Sequence, residues 1–381
     1  MRNDCYVEID TQQIKTNVSN IIKKYNDYKY YIAVVKGNAY GHGFEVVKYL
    51  LEAGANYLAV SSLEEALEVR KITSAPCLLL QPCAIEDLAI ANKYNIDISI
   101  ADIDYYKAVV DSGLKLSFHL KLDTGMNRLG IKSKEEVEEI YRDVKNHEQL
   151  NFKGIFTHLA TIGLLDNEWD KQVACFESLT ADIDLNSIEM VHLFSSQSLV
   201  YHPKLKYANG VRVGILMFGV APRPLSYHGL IGTLKKIKHH HTKKKYHISK
   251  PNEDMSIDVK PALKLKSTII SKKLIKQGEG VGYSMQFRPD KDGYIAVASI
   301  GYGDGMMLSN TGLLVKINGN KYPIVGFMNM KMIDIFVDDK VQIGDEVEVY
   351  YEEVRYISGH NHVTPHYLYT TIPSTIKRYY K

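Results

Sequence analysis

Long apolar runs are what this sequence lacks most plainly: none approaches the roughly 18 residues needed to span a bilayer. The opening MRNDCYVEID also lacks the apolar core of a signal peptide. A cytoplasmic protein is the expectation. An excess of one charge is missing as well. With 47 basic and 44 acidic residues the net charge is +3, so nothing global favours a nucleic acid or a membrane surface. The four cysteines, Cys5, Cys77, Cys83 and Cys175, show neither metal-ligand nor disulfide-framework spacing. Reduced thiols and no metal site are expected.

What is present is a globular composition, 45% hydrophobic over 381 residues, with room for real cores. CYVEID (5–10) reads as a strand, and Asp10 or Thr11 can cap the helix QQIKTNVSNIIKK. From there strands and helices alternate. Strands are predicted at 32–37, 57–62, 77–82, 96–101, 117–123, 152–159, 190–195 and 211–219, with amphipathic segments such as FEVVKYLLEAG and KEEVEEIYRDVKN between them. Eight such repeats predict a (β/α)8 TIM-like barrel over 1–223, with a doubly wound open sheet as the competitor. A barrel would place chemistry at the C-terminal strand ends and a phosphate site after strands seven and eight.

The pattern breaks at 224–262, where a basic cluster from Lys235 to Lys245 includes His239, His240 and His241. A solvated linker loop is the expectation there. Alternating strand patterns and the hairpin signal NGN then predict a smaller, mostly β domain over 263–381.

Within YIAVVKGNAYGHGFEVV (31–47) an apolar run ends in Lys36. By itself this reads as a strand-end lysine whose stem packs and whose ammonium reaches water. A Schiff-base lysine is the other reading. Four further motifs follow in order: KLDTGMNRLGI, FTHLAT, VRVGILMFG, and VGYSMQF with IGYGDG. Together with VVKGNAYGHG they resemble the alanine racemase family, which uses pyridoxal 5'-phosphate (PLP), and the matches cover most of the chain.

The resemblance implies the roles that follow. Lys36 would bond PLP and act as one catalytic base, and Tyr283 would be the base on the opposite face. A phenol is a poor base near neutrality, and the family's helpers match His158 and Arg212. Arg212 would also bond the pyridine nitrogen, which weakens the cofactor as an electron sink. Tyr40, Ser196 and the amides of Gly214 and Ile215 would hold the phosphate, where the barrel layout expects it. Arg128 and the amide of Met330 would meet the substrate carboxylate, Tyr302 would line the entrance, and Lys121 would be carbamylated. Asp123 and Thr124 read as structural. A head-to-tail homodimer is implied, with Tyr283, Tyr302 and Met330 reaching the partner's barrel.

The chain departs from the family at its entrance, which holds Gly163, Leu308, Phe327 and Lys331 where polar or oppositely charged residues are usual. Asn127 replaces a glycine, and Ser374 stands where an active-site tyrosine is usual. The expected function is racemisation of alanine for cell-wall synthesis. Ser374 and the altered entrance suggest serine or broad-specificity racemisation as the alternative. A PLP-binding regulatory protein would need neither Tyr283 nor the β domain, and a decarboxylase or aldolase of related fold is the third reading.

Overall fold

Parallel pairing of short apolar strands builds the N-terminal half in this computed structural model, which describes residues 5–161, 167–222, 233–234 and 252–381. β1 is Cys5–Ile9, and the barrel strands are β2 (Tyr30–Val34), β3 (Tyr57–Val60), β4 (Cys77–Leu79), β5 (Ile98–Ile100), β6 (Leu116–Leu122), β7 (Leu150–Thr157), β8 (Met190–His192), β9 (Phe194–Ser195) and β10 (Gly210–Val213). Their order is β4-β3-β2-β10-β9 in one sheet and β5-β6-β7-β8 in another. The parallel bridge between Leu78 and Asp97 joins the sheets on one side. On the other side only Leu193 separates β8 from β9. Counting β8 and β9 as one interrupted strand, eight parallel strands close a barrel, and the open-sheet competitor is set aside.

At the interruption the carbonyls of His192 and Leu193 accept hydrogen bonds from the Arg212 guanidinium, the second at 3.2 Å. Inside the barrel Ile32, Val34, Tyr57, Ala59, Leu78 and Met190 pack as one buried cluster. Helices cover the outside. Asp10 caps Thr11–Lys24 by accepting from the Gln13 amide at 2.7 Å, and Ser62, Asp102 and Ser133 cap later helices in the same way.

The expected last barrel strand, 211–219, ends at Val213 instead. Gly214–Gly219 turns: Met217 N bonds Gly214 O at 2.9 Å, and Gly219 has φ +91 with the Lys260 carbonyl where a Cβ would be. Apolar content there serves a buried turn, which periodicity cannot separate from a strand.

The C-terminal strands are β11 (Leu263–Ile275), β12 (Gly293–Ala298), β13 (Leu314–Ile317), β14 (Asn320–Val325), β15 (Ile333–Val337), β16 (Glu346–Tyr350) and β17 (Arg378–Tyr380). With β1 they form an eight-stranded sheet of order β12-β15-β14-β13-β16-β11-β1-β17. The NGN signal is realised as a two-residue hairpin, with Ile317 opposite Asn320 and φ +49 and +79 at Asn318 and Gly319. Two helices, Val354–His360 and Pro365–Thr370, follow β16. β1 pairs in parallel with β17, Val7 opposite Arg378, so the two ends of the described chain share one sheet edge. The cluster Lys235–Lys245 with His239, His240 and His241 lies outside the described residues. Among the described residues no helix is long and apolar enough to cross a membrane.

Candidate active site

Lys36 follows β2 and opens a turn of unusual hand. Gly37, Asn38, Ala39, Tyr40 and Gly41 have φ of +63, +53, +53, +52 and +78, a run of left-handed residues. Each non-glycine residue there costs about 1–2 kcal/mol. Such strain persists only where the surroundings over-determine it, and such sites cluster at functional positions. Here the restraint comes from the far end of the chain. Arg378 Nε donates to Gly41 O at 2.9 Å, Tyr380 OH donates to His42 O at 3.1 Å, and the His42 ring stacks on Phe218. On the other side Glu65 accepts from Gly37 N at 2.6 Å and from Ser61 N and Oγ at 2.9 Å each.

The turn aims Lys36 into a cavity of about 1270 Å3 at the C-terminal mouth of the barrel. Lys121, Arg128, His158, Ser196, Arg212, Gly214, Ile215 and Tyr40, all singled out in the sequence, line the same cavity. Five basic side chains, Lys36, Lys121, Arg128, Arg212 and Arg355, therefore face one space. Burial lowers the Lys36 pKa, and Arg128 and Arg212 add to this while Glu65 opposes them. Burial, then Arg212, Arg128 and Lys36, brings Lys121 down to about 8, and its Nζ donates to Leu80 O at 3.1 Å. His158 is held near 3 by burial and by Arg212, Arg128, Lys36 and Lys121, so its imidazole is neutral at pH 7.

Arg212, on β10, is buried. Burial pushes its pKa down to about 9, which still leaves a cation at pH 7. Its Nη1 donates to His192 O and to His192 Nδ1 (2.8 Å), and its Nη2 donates to Thr157 O (2.6 Å) and Leu193 O (3.2 Å). Four of the five guanidinium N–H groups are thus engaged by protein. Among the described residues no partner takes the fifth, on Nε.

A second group of polar atoms converges nearby. Ser196 Oγ accepts from Gly214 N at 3.0 Å, and the Tyr40 hydroxyl lies so close to Gly214 that a Cβ there would fall 2.4 Å from it. Glycine is required at 214 for that approach. Asp123 is structural, as expected: its carboxylate accepts from the amides of Gly125, Asn127 and Arg128 at 2.9–3.0 Å, which folds the TGMNRLG loop and carries Arg128 to the cavity. Asn127 takes φ +54 in that loop, a conformation asparagine tolerates. Thr124 bonds the Thr157 hydroxyl at 2.9 Å.

Tyr283, Tyr302 and Met330 are not in this cavity. They stand on the sheet domain, 70%, 43% and 58% exposed, with Leu308 and Phe327 exposed beside them in the same set of loops. These loops adjoin: Tyr302 N bonds Asn329 O at 3.2 Å, and Gly326 approaches the Val281 carbonyl. Lys331 pairs with the buried Asp304. Ser374 does not line the cavity either. It sits exposed in the turn before β17, its carbonyl accepting from Arg378 at 3.3 Å, and His366 and Thr370 form the wall beside Lys36 and Tyr40. Gly163 lies outside the described residues.

Sequence reasoning missed Glu65, His119, His192 and His366. Glu65 sits in an ordinary amphipathic helix and carries no local signal. His119 did leave one, because the alternation His119, Lys121, Asp123 in an otherwise apolar strand places polar groups on one face.

Two family models match the chain, the alanine racemase N-terminal domain over residues 9–222 and the alanine racemase C-terminal domain over 262–380. Alanine racemase 1 of Bacillus subtilis (strain 168) is 33% identical over 349 residues, covering 90% of this chain and 83% of that protein. The alanine racemase of Halalkalibacterium halodurans is 32% identical over 355 residues, with 90% and 85% covered. Among solved structures, the alanine racemase from E. faecalis superposes with a TM-score of 0.86 at 27% identity, covering 99% of this chain and 98% of that one. The alanine racemase from Bacillus anthracis with bound L-Ala-P gives 0.82 at 27% identity, with 100% and 96% covered. By both halves of its sequence and by its fold, the chain belongs to the alanine racemase family.

Proposed function

We propose that the chain is a PLP-dependent alanine racemase, an isomerase that interconverts L- and D-alanine in the cytoplasm and supplies the D isomer for cell-wall synthesis. One observation carries the reading: a lysine on a restrained left-handed turn faces a cavity that also holds an anion cradle and a buried guanidinium with one N–H unengaged by protein.

The residues fit PLP. Lys36 would bond it, Arg212 would meet its ring nitrogen through Nε–H, and Tyr40, Ser196, Gly214 N and Ile215 N would hold its phosphate. PLP, when bound, supplies an electron-withdrawing ring system that acidifies the Cα–H of an amino acid. The chain supplies position and proton transfer. Arg128 would hold the substrate carboxylate by its charge, together with the amide of Met330. The depressed pKa of Lys36 makes its neutral amine available to take or return a proton on one face.

The opposite face needs a second base, and Tyr283, which the family resemblance assigns to that role, does not line the cavity of its own chain. Tyr283 of the partner subunit would fill that place in a head-to-tail homodimer. The exposed cluster of Tyr283, Tyr302, Met330, Leu308 and Phe327 supports this, since isolated surfaces seldom expose so many large apolar side chains together. Neutral His158 can accept a hydrogen bond from that phenol, and it shares the cavity with the basic side chains of Lys121, Arg128 and Arg212. The lowered pKa of Lys121 leaves it open to carbamylation, which would remove one of those charges. The serine or broad-specificity alternative is not favoured: Ser374, one of its two grounds beside the altered entrance, lies away from the cavity lining, and the curated relatives are alanine racemases.

The test is racemisation by the purified protein reconstituted with PLP, with D-alanine detected by an oxidase specific for D-amino acids. Formation of D-alanine from L-alanine, faster than the corresponding turnover of serine, is expected. A PLP-loaded protein that leaves L-alanine unchanged would overturn the reading.

A further inference from the structure

Behind Arg212 a line of buried polar side chains crosses the barrel interior to its opposite end. His192 Nε2 lies 2.9 Å from His119 Nδ1, and His119 Nε2 lies 3.4 Å from the Tyr57 hydroxyl. Tyr57 OH donates to Asp97 Oδ2, which also accepts from Lys153 Nζ at 3.0 Å. Asp97 sits just before β5, on the bridge that closes the barrel, and its carboxylate is 3.9 Å from His119 Nε2. His119 and His192 are fully buried.

The direction of each bond follows from the two ends. A guanidinium has no acceptor, so His192 must offer a lone pair at Nδ1 and carry its proton on Nε2. That proton points at His119 Nδ1, which must likewise be bare, leaving the His119 proton on Nε2. The Tyr57 oxygen accepts it while the Tyr57 hydroxyl proton goes to the carboxylate. Every donor between Arg212 and Asp97 therefore points the same way, from cation to anion. Aligned bonds in a low-dielectric interior polarise one another. Packing keeps the line straight: His192 stacks on Phe156 at 4.7 Å with rings 8° from parallel, and Gly154 leaves the space His119 occupies, since a Cβ there would fall 2.2 Å from Nδ1.

We propose that Asp97, Tyr57 and His119 are positioning residues for Arg212: through His192 they hold the guanidinium charged and turned so that Nε–H is directed at the ring nitrogen of the cofactor. This rests on the PLP reading above. The consequence is that residues at the far end of the barrel set the hydrogen bond that tunes the cofactor. Tyr57→Phe removes one oxygen and cuts the line, and His119→Leu removes a donor and an acceptor. His119→Gln keeps one of each.

The experiment loads wild type and variants with PLP labelled with 15N in the ring and records the ring-nitrogen chemical shift, with thermal midpoints measured alongside. In Tyr57→Phe and His119→Leu the shift should move toward that of an unbonded pyridine nitrogen, and kcat for alanine should fall about tenfold with KM little changed. His119→Gln should recover most of both. Folded, PLP-loaded Tyr57→Phe and His119→Leu proteins with an unmoved shift would overturn the proposal, and should leucine at 119 prevent folding, Tyr57→Phe alone decides. A wild type that takes up no PLP would instead bring down the cofactor reading itself.

Discussion

Arg212 is the residue whose surroundings decide most about the chemistry. It is buried, its four Nη–H groups are tied to backbone and His192, and its Nε–H has no partner among the described residues. A fixed donor of this kind costs no reorganisation during reaction, which is where such electrostatic groups derive their effect. Tyr283 is the contrasting residue, exposed and without cavity contacts in its own chain. Tyr283→Phe should lower kcat by about 10²–10⁴-fold, the range of a lost general acid or base, while PLP uptake followed by absorbance is unchanged. An activity near wild type would remove it from the mechanism. Arg128, which Asp123 places at the cavity rim, should act on binding. Arg128→Leu should raise KM for alanine by roughly tenfold or more, the equivalent of about 1.4 kcal/mol per decade, in steady-state assays.

At the scale of the element, the left-handed turn at Gly37–Gly41 is the device that needs explaining. A strand followed by KGNAYGHG shows glycine spacing but not its hand. The hand is imposed by helix Pro365–Thr370 and β17, which reach the turn from more than 300 residues away: a Cβ on Gly41 would fall 2.0 Å from Tyr369 O, and one on Gly43 would fall 2.1 Å from the Tyr380 hydroxyl. Gly41→Ala combines a left-handed φ with backbone overlap, so urea denaturation should show a loss of about 2–4 kcal/mol and PLP affinity should weaken. A stability within 0.5 kcal/mol of wild type, roughly the scatter of innocuous substitutions, would show that the turn can relax. The other elements were plainer. Thr11–Lys24 is legible from Asp10 and its apolar spacing, and β13–β14 from Asn318-Gly319, because caps and two-residue turns are local chemistry. The helix Val354–His360 carried no comparable signal and was missed.

The stability of the whole molecule depends on buried groups that do not tolerate protonation. His42, His119 and His192 are fully buried; burial holds the first two near 3 and the third well below its ordinary value. Unfolded, each titrates near about 6.5. Below that pH the unfolded chain binds more protons than the folded one, so stability falls as pH drops from about 6.5 toward 3 and is fully present above it. Each group contributes up to about 1.4 kcal/mol per pH unit. Urea midpoints at pH 7.5, 6.5 and 5.5 should therefore change little over the first step and drop over the second, and equal midpoints at the last two values would refute the neutral-histidine assignment. Association belongs to this scale too. Sedimentation velocity should give twice the chain mass, and Met330→Asp, placing a charge in the exposed apolar cluster, should favour the monomer and abolish activity together.

The barrel, the sheet domain and the family were determined by the sequence itself, because alternation of strand and helix is local and each motif carries several chemically necessary residues in a row. Lys36, His158 and Arg212 could be named from those motifs and Ser196 from its place after the seventh barrel strand, and the fold brings them to one cavity. Only the tertiary structure decided the rest. The hand of the turn at Lys36, the displacement of Ser374 by His366 and Thr370, and the line from Arg212 to Asp97 all depend on side chains that are distant in sequence and adjacent in space. No local pattern encodes which buried imidazole faces which guanidinium, since that is set by strand register and barrel closure.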